Sequence, residues 1–402
     1  MASSNSISAI PPASLSSRTD ADWMRYALEL AKQGQGYVEP NPMVGCVVVR
    51  GGECVGAGYH ERFGGPHAEV RAFESCGAEV FEGSTVYVTL EPCSHFGKTP
   101  PCVELLLKHR PSRVVVAMSD PFEQVSGAGI RRLREAQIET VVGVLEDQAR
   151  ALNAPYLKRI RTGLPWVIAK WAMTLDGAMA TVSGDSKWIS GEESRRQVHR
   201  LRGRVDAILV GSDTVLADDP MLTARLEPAD GEVLRRATRV VLDRRLRIPL
   251  SSGLVRTARE VPVKVVTLVP QANDMQGLKK VEELTKLGVV VEGLDRSLGE
   301  DSKGFLTGAL ASIAKQGGTN VLLEGGARVF GGFFEAGLVD QVECYVAPKV
   351  LGGLGRRTPV EGSQERKWIS QAVGFASGEW ESIGGDIHFS GIVNSASEPE
   401  EK

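Results

Sequence analysis

His67, Glu69, Cys93 and Cys102 bring one imidazole, one carboxylate and two thiols into one short stretch of the sequence. Soft thiolate and imidazole donors suit a tetrahedral zinc ion, and a catalytic zinc keeps its fourth position for water. His67, Cys93 and Cys102 supply three such donors and leave that position open, at one zinc per chain. Glu69 follows His67 by two residues, close enough to shuttle a proton without being a ligand. Pro100 and Pro101 fix the backbone just ahead of Cys102, which predicts Cys102 at a helix N-terminus, where the dipole favours a thiolate. A purely structural zinc, closed by His95 as a fourth ligand, is the competing reading; three ligands with an adjacent carboxylate favour catalysis. Cys46, Cys54, Cys76 and Cys344 stand in apolar contexts and read as packing thiols, and His60 and His109 as surface or loop histidines.

The elements that must hold these residues are regular. A helix is predicted from DADWMRYALELAKQG with Asp20 as N-cap, then a hairpin of VGCVVVR and CVGAGYH across Gly51-Gly52. HAEVRAFESCG, TVYVTLEP, VELLLKHR, RVVVAMS, GIRRLREAQ and ETVVGV alternate helix and strand, which predicts a largely parallel sheet. A single helix over EDQARALNAPYLKRIRTG leads to a second α/β series that starts near residue 164. In that series NVLLEGGARVFGGFFEAG reads as strand, glycine turn and helix, a weak phosphate-binding signal, and no GxGxxG is present.

The 402 residues allow two domains. The net charge of −3 and the lack of a Lys/Arg-rich stretch disfavour a nucleic-acid partner and with it a nucleic-acid-editing deaminase. No apolar run approaches the roughly 20 residues of a membrane span. Six cysteines in so long a chain do not make a disulfide scaffold. Residues 1–19 and 393–402 read as disordered tails; a weak organelle transit peptide is the lesser alternative for the first, and a cytoplasmic location is expected. The sequence leaves open whether the chain forms a homo-oligomer.

The zinc motif departs from the generic nucleobase-deaminase signature H-x-E…P-C-x-x-C, because HAE at 67–69 is followed by EPCSHFGKTPPC at 91–102. In that stretched form it resembles the bifunctional riboflavin-biosynthesis deaminase–reductases, and PNPMVGCVVV at 40–49 is similar to their PNPxVG segment. KWAMTLDGAMATVSGDSKWIS, GSDTVLADDPMLTARL, LEGG and VAPKVLGG follow the reductase half of that family in order. The resemblance covers about residues 20–370. It implies a cytidine-deaminase-like α/β/α sandwich at 20–150, acting on a diaminopyrimidine ribose phosphate. It further implies a dihydrofolate-reductase-like α/β domain at 164–392 that uses NADPH to reduce the ribosyl group to ribityl. Glu69 is then the proton shuttle and Asn41 lines the pyrimidine pocket. Ala172, Trp188, Thr214, Asp218, Gly326, Ala327, Arg328, Val329, Phe330, Gly331 and Gly332 are expected to contact NADPH. Ser186, Arg202, Leu222, Arg225 and Glu324 are expected to contact the substrate, with Arg202 and Arg225 as forks for its phosphate. Three departures stand out: Thr174 for a Ser, DPFEQ at 120–124 for D-P-N-P, and Asp213 for a Gly.

Overall fold

The computed structural model describes residues 18–76, 82–94, 100–121, 127–227, 233–271, 273–299, 301–353, 357–363 and 366–394. Most of both terminal tails, His95 and residues 122–124 of the DPFEQ segment therefore lie outside the described residues. The chain divides into two compact units, Met1–Ala154 and Pro155–Lys402.

The first unit opens with α1 (Asp20–Lys32), capped by Thr19 rather than Asp20. Thr19 accepts from the Asp22 amide while the Asp22 carboxylate returns to the Thr19 backbone N–H, closing a capping box. Asp20 is drawn elsewhere: its carboxylate takes both terminal nitrogens of Arg113 at 2.8 Å and the Tyr87 hydroxyl at 2.8 Å. The strands β1 (Gly45–Arg50) and β2 (Glu53–Tyr59) form the expected hairpin, with positive φ at Gly51 and Gly52. There follow α2 (Ala68–Ser75), β3 (Thr85–Val88), α3 (Cys102–His109), β4 (Arg113–Val116), α4 (Ala128–Glu135), β5 (Glu139–Val142) and α5 (Glu146–Leu152). The sheet order is β2-β1-β3-β4-β5. Only β3, β4 and β5 are parallel, and β1 pairs antiparallel with both β2 and β3. The strands that alternate with helices are thus parallel as expected, and the antiparallel pairing of β1 with β3 has a topological reason. The hairpin reverses the chain, and the crossover through α2 then lays β3 alongside β1 in the direction of β2. Cys46, Val48, Val86, Val88, Val114 and Val116 pack beneath α2 and α3 as one core.

The single helix expected at 146–163 is broken into α5 and α6 (Ala154–Thr162). Asn153 turns its buried side chain onto Met43, accepting from its N–H at 2.8 Å and donating to its carbonyl at 2.9 Å. Pro155, which has no N–H to donate, is tolerated in the first turn of α6.

Among the described residues the second unit carries nine strands. In chain order they are β6 (Trp166–Thr174), β7 (Ala207–Gly211), β8 (Thr238–Leu242), β9 (Val263–Leu268), β10 (Val290–Leu294), β11 (Asn320–Leu323), β12 (Gln341–Ala347), β13 (Phe375–Ile383) and β14 (Asp386–Val393). The helices between them are α7 (Glu192–Arg202), α8 (Ser212–Asp218), α9 (Gly253–Arg256), α10 (Met275–Lys286), α11 (Ser302–Ala314) and α12 (Ala327–Glu335). The sheet order is β10-β9-β8-β7-β11-β6-β12-β14-β13, parallel from β10 to β12 and antiparallel at the last two strands. Helices α11 and α12 bury Phe305, Leu310, Phe330 and Phe333 against Leu209, Val240 and Leu323, each large side chain worth about 1.5–3 kcal/mol. The β13–β14 hairpin is an element that strand patterning did not single out. Nearly all of β13 is exposed at the sheet edge, so it lacks the apolar alternation of a half-buried strand. No helix among the described residues is long and apolar enough to cross a membrane.

Candidate active site

His67 stands at the N-cap of α2, and Glu69 lies in its first turn, 3% exposed. Cys102 is the first residue of α3, behind Pro101, as the two prolines predict. Cys93 sits in the loop after β3. His67 Nδ1 is 3.5 Å from Cys93 Sγ and 3.3 Å from Cys102 Sγ, and the three ligand atoms all lie within 4.8 Å of one another. Zinc bonds of about 2.0–2.3 Å at tetrahedral angles separate a nitrogen and a sulfur ligand by roughly 3.6 Å, so the donor set fits the ion.

The same geometry tunes the thiols. The Cys102 thiol and backbone N–H and the His67 ring converge on Cys93 and push it down to about 4, after burial is offset. Cys102, bonded to that thiolate and buried, is pushed up instead. The pair holds one thiolate readily, and a cation is what would let both ionise. Burial raises the Glu69 carboxyl, as expected of a group that must take and return protons.

Two residues overlooked by sequence reasoning brace this arrangement. Glu91, 3% exposed, accepts from the backbone N–H groups of Asp120, Gly127, Gly129 and Ile130 at 3.0–3.3 Å, pinning the Cys93 loop to the N-terminus of α4. Gly129 is required there: a Cβ would stand 2.2 Å from the Pro92 carbonyl oxygen. His60, expected at the surface or in a loop, lies in the loop after β2 but is 3% exposed and packs edge-on to His67. Its Nδ1 lies 3.0 Å from the Pro66 carbonyl oxygen, which makes Nδ1–H the donor and leaves Nε2 to accept from Asn41 Nδ2 at 3.3 Å. Burial lowers the His60 pKa, which keeps the ring neutral for that role. His109 is half-buried against Phe73 rather than at the surface. Of the four other cysteines, Cys46, Cys76 and Cys344 are buried in apolar clusters and Cys54 is half-buried.

In the second unit the reductase residues fall into two groups. Glu324, at the end of β11, takes the Arg202 fork through two bonds of 2.6 Å, and Arg202 Nη1 donates to the Thr223 carbonyl at 3.3 Å. The fork expected on a phosphate is thus filled by a carboxylate. Arg225 is exposed, and its backbone N–H donates to His199 Nδ1 at 3.2 Å. Leu222 is buried with φ at +51, and Ser186 is half-buried in the loop between β6 and α7. Lys170 on β6, which the sequence reading did not assign, stands in the field of Glu324 and Arg202; burial lowers its pKa against the pull of Glu324.

The other group surrounds the start of α12. Gly326, at φ +83, is its N-cap and lies against Thr214 of α8. Ala327, Arg328 and Val329 make the first turn, and Arg328, Val329 and Gly332 line an open pocket. Phe330 and Gly331 do not face it: Phe330 is core, edge-on to Trp171, and a Cβ at Gly331 would meet the Glu361 carbonyl oxygen at 2.1 Å. Ala172 is half-buried on β6 and Asp218 ends α8 at the surface. Trp188 is 63% exposed beneath the Arg195 guanidinium, its carbonyl held by Lys349 Nζ at 2.6 Å.

Residues 17–118 match the cytidine and deoxycytidylate deaminase zinc-binding region, and residues 165–389 match the RibD C-terminal domain. The riboflavin biosynthesis protein RibD of Actinobacillus pleuropneumoniae is 42% identical over 384 residues, covering 96% of this chain and 98% of that protein. The structure of Acinetobacter baumannii RibD, form 1, superposes with a TM-score of 0.79 at 37% identity, over 93% of this chain and 99% of that one. A diaminohydroxyphosphoribosylaminopyrimidine deaminase/5-amino-6-(5-phosphoribosylamino)uracil reductase from Thermotoga maritima superposes with a TM-score of 0.75 at 32% identity, with the same coverage. The α/β fold class expected from the sequence, a cytidine-deaminase-like unit followed by a reductase unit, is the one found.

Proposed function

Since the chain belongs to the RibD family of riboflavin biosynthesis, whose members join a deaminase to a reductase, we propose how its own residues divide the two reactions. The deaminase works on 2,5-diamino-6-(5-phosphoribosylamino)pyrimidin-4(3H)-one and the reductase on the 5-amino-6-(5-phosphoribosylamino)uracil that results. The observation that carries the first assignment is the convergence of His67, Cys93 and Cys102 beside the buried carboxyl of Glu69. Zinc, when held by these three ligands, supplies Lewis acidity toward a water in its open position. Glu69 takes the proton of the attacking water and delivers it to the departing ammonia. Asn41, oriented by His60, presents its amide oxygen to the pyrimidine edge.

In the reductase, NADPH supplies the hydride for the ribosyl C1′. Gly326 to Val329 and Gly332, with Thr214 beside them, offer backbone and pocket wall to the dinucleotide. Arg225 binds the substrate phosphate as an exposed guanidinium, and Arg202 holds Glu324 in place at the substrate rather than gripping the phosphate itself. The described cysteines are all free thiols, which suits a reducing compartment, and we assign the protein to the cytoplasm. The exposed edge strand β13, with Trp380 66% exposed, supports a homo-oligomer, because an edge strand presents backbone groups that invite pairing. One purified sample, assayed for ammonia release and for NADPH oxidation that depends on substrate, tests the proposal. Absence of either activity contradicts it.

A further inference from the structure

Arg225, the guanidinium given to the substrate phosphate, is exposed and stands in a stretch, residues 219–227, without regular secondary structure. A phosphate bound there would have to order the loop on every encounter, at an entropic cost for each residue fixed, unless the fold has ordered it beforehand. It has. From the end of α8 the chain is pinned at every second residue. The Asp219 carboxylate accepts from the Gly253 N–H at 2.7 Å, and the Met221 carbonyl accepts from Arg239 Nη1 at 3.3 Å. The Thr223 carbonyl accepts from Arg202 Nη1 at 3.3 Å, and the Arg225 N–H donates to His199 Nδ1 at 3.2 Å. Asp219 and Leu222 have φ at +38 and +51, left-handed backbone that a non-glycine residue keeps where its surroundings impose it.

The last two anchors come from one face of α7, because His199 and Arg202 stand three residues apart on that helix. Arg202 is itself fixed by two bonds of 2.6 Å to Glu324, so that face is set before substrate arrives. The His199 anchor has a property of its own. Its Nδ1 can accept only while it carries a lone pair, and an imidazolium donates at both nitrogens. The ring is half-buried and faces Arg202 on its own helix, Arg225 from the loop and Glu324 from β11. Burial first, then the charges of Arg202 and Arg225, hold the His199 pKa below the usual histidine value, against the pull of a bond to the Thr223 backbone and of Glu324. At neutral pH the acceptor is therefore present.

We propose that His199 is a positioning residue of the reductase: its neutral Nδ1 holds the backbone of Arg225 and so presents that guanidinium to the phosphate of the substrate. Protonation of the ring withdraws the acceptor, frees the Arg225 amide and sets a third cation beside Arg202 and Arg225. The loop then has to be ordered by the substrate itself, and affinity falls. Because His199 acts through Arg225, its effect is confined to recognition of the phosphate, with turnover and NADPH binding unchanged. This rests on the reading of Arg225 as the phosphate contact.

The test is steady-state NADPH oxidation by the full-length protein between about pH 5.5 and 8, the range in which an imidazole titrates. The substrates are 5-amino-6-(5-phosphoribosylamino)uracil and its dephosphorylated riboside, and circular dichroism verifies the fold of each variant. H199L removes the acceptor and should raise KM for the phosphorylated substrate about three- to tenfold, the scale of one lost neutral hydrogen bond. Its kcat, its KM for NADPH and its use of the riboside should match the unmodified protein. H199N offers Oδ1 as an acceptor that does not titrate, and should restore KM to within about twofold at the upper end of the range. As pH falls below about 6.5, KM of the unmodified protein should climb away from that of H199N, which shares the protonation of the substrate phosphate but has no imidazole. Equal losses for phosphorylated substrate and riboside in H199L overturn the inference, as do a failure of H199N to restore KM and coincident pH profiles for H199N and the unmodified protein. R225A serves as the control. If R225A itself fails to discriminate between the two substrates, the phosphate reading of Arg225 falls and takes the inference with it; if R225A discriminates and H199L does not, the inference alone is wrong.

Discussion

His60 Nε2 accepts from Asn41 Nδ2 at 3.3 Å, while Pro66 holds the other ring nitrogen at 3.0 Å. One buried imidazole thus fixes which end of the Asn41 amide faces away from it.

His60 is a positioning residue on this account, and its removal should act through Asn41. H60F, which keeps the ring volume, should lower deamination by roughly 10–100-fold, the usual effect of losing a supporting hydrogen bond in such a shell. Zinc content should not change. In a double-mutant cycle with N41A the second substitution should add little. Additive losses, or loss of zinc, would show that His60 acts elsewhere.

The two arginines of the substrate pocket should part company. R225A should weaken binding of the phosphorylated substrate by about 1.5–3 kcal/mol, the range for a bond to a charged group, and leave a dephosphorylated analogue unaffected. R202A strands the Glu324 carboxylate, whose side chain is 5% exposed, and should cost about 3–5 kcal/mol of folding stability. Urea unfolding of both variants, set beside substrate titrations, separates a phosphate contact from a structural ion pair.

A pH effect should appear at the β13–β14 hairpin. His388 is buried, stacks on Tyr345, and lies between Glu343 at 2.5 Å and Glu381 at 2.8 Å, with Ser390 and Gln341 bonded to Glu343 and Gln197 to Glu381. Burial pushes its pKa down, but the two glutamates outweigh that and the net shift is upward. A pKa raised on folding gives stability that is whole below the unfolded value near 6.5 and is lost as pH climbs through the raised value. Hydrogen exchange of β14 should therefore speed up as pH climbs above 6.5, beyond the intrinsic rise, and H388Q should flatten that dependence. An unchanged profile in H388Q would show that His388 does not titrate in this range.

Legibility in the sequence followed the range of the contacts. The zinc triad could be read because ligand chemistry, the prolines before Cys102 and the two-residue step to Glu69 are local features. Its brace could not, since Glu91 reaches the backbone of residues 120–130 and His60 reaches Asn41 only once the sheet has formed. The Arg202–Glu324 pair was hidden for the same reason: Glu324 comes to Arg202 through β11, far along the chain. The pairing of β1 with β3 depended on a crossover that strand patterns do not encode. Phe330 and Gly331 lie in a glycine-rich run that reads as one turn, yet helical geometry sends them to the core.

The central claim is that two separate sets of residues perform the two reactions, with Glu69 confined to the first. Glu69→Gln keeps shape and volume but cannot carry a proton. The variant should fold, retain zinc, and lose deamination by at least the roughly 10²–10⁴-fold that general acid–base catalysis contributes. Given the already deaminated pyrimidine and NADPH, the same preparation should oxidise NADPH at close to the unmodified rate. If reduction falls in parallel with deamination while fold and zinc are intact, the division into two sites is wrong.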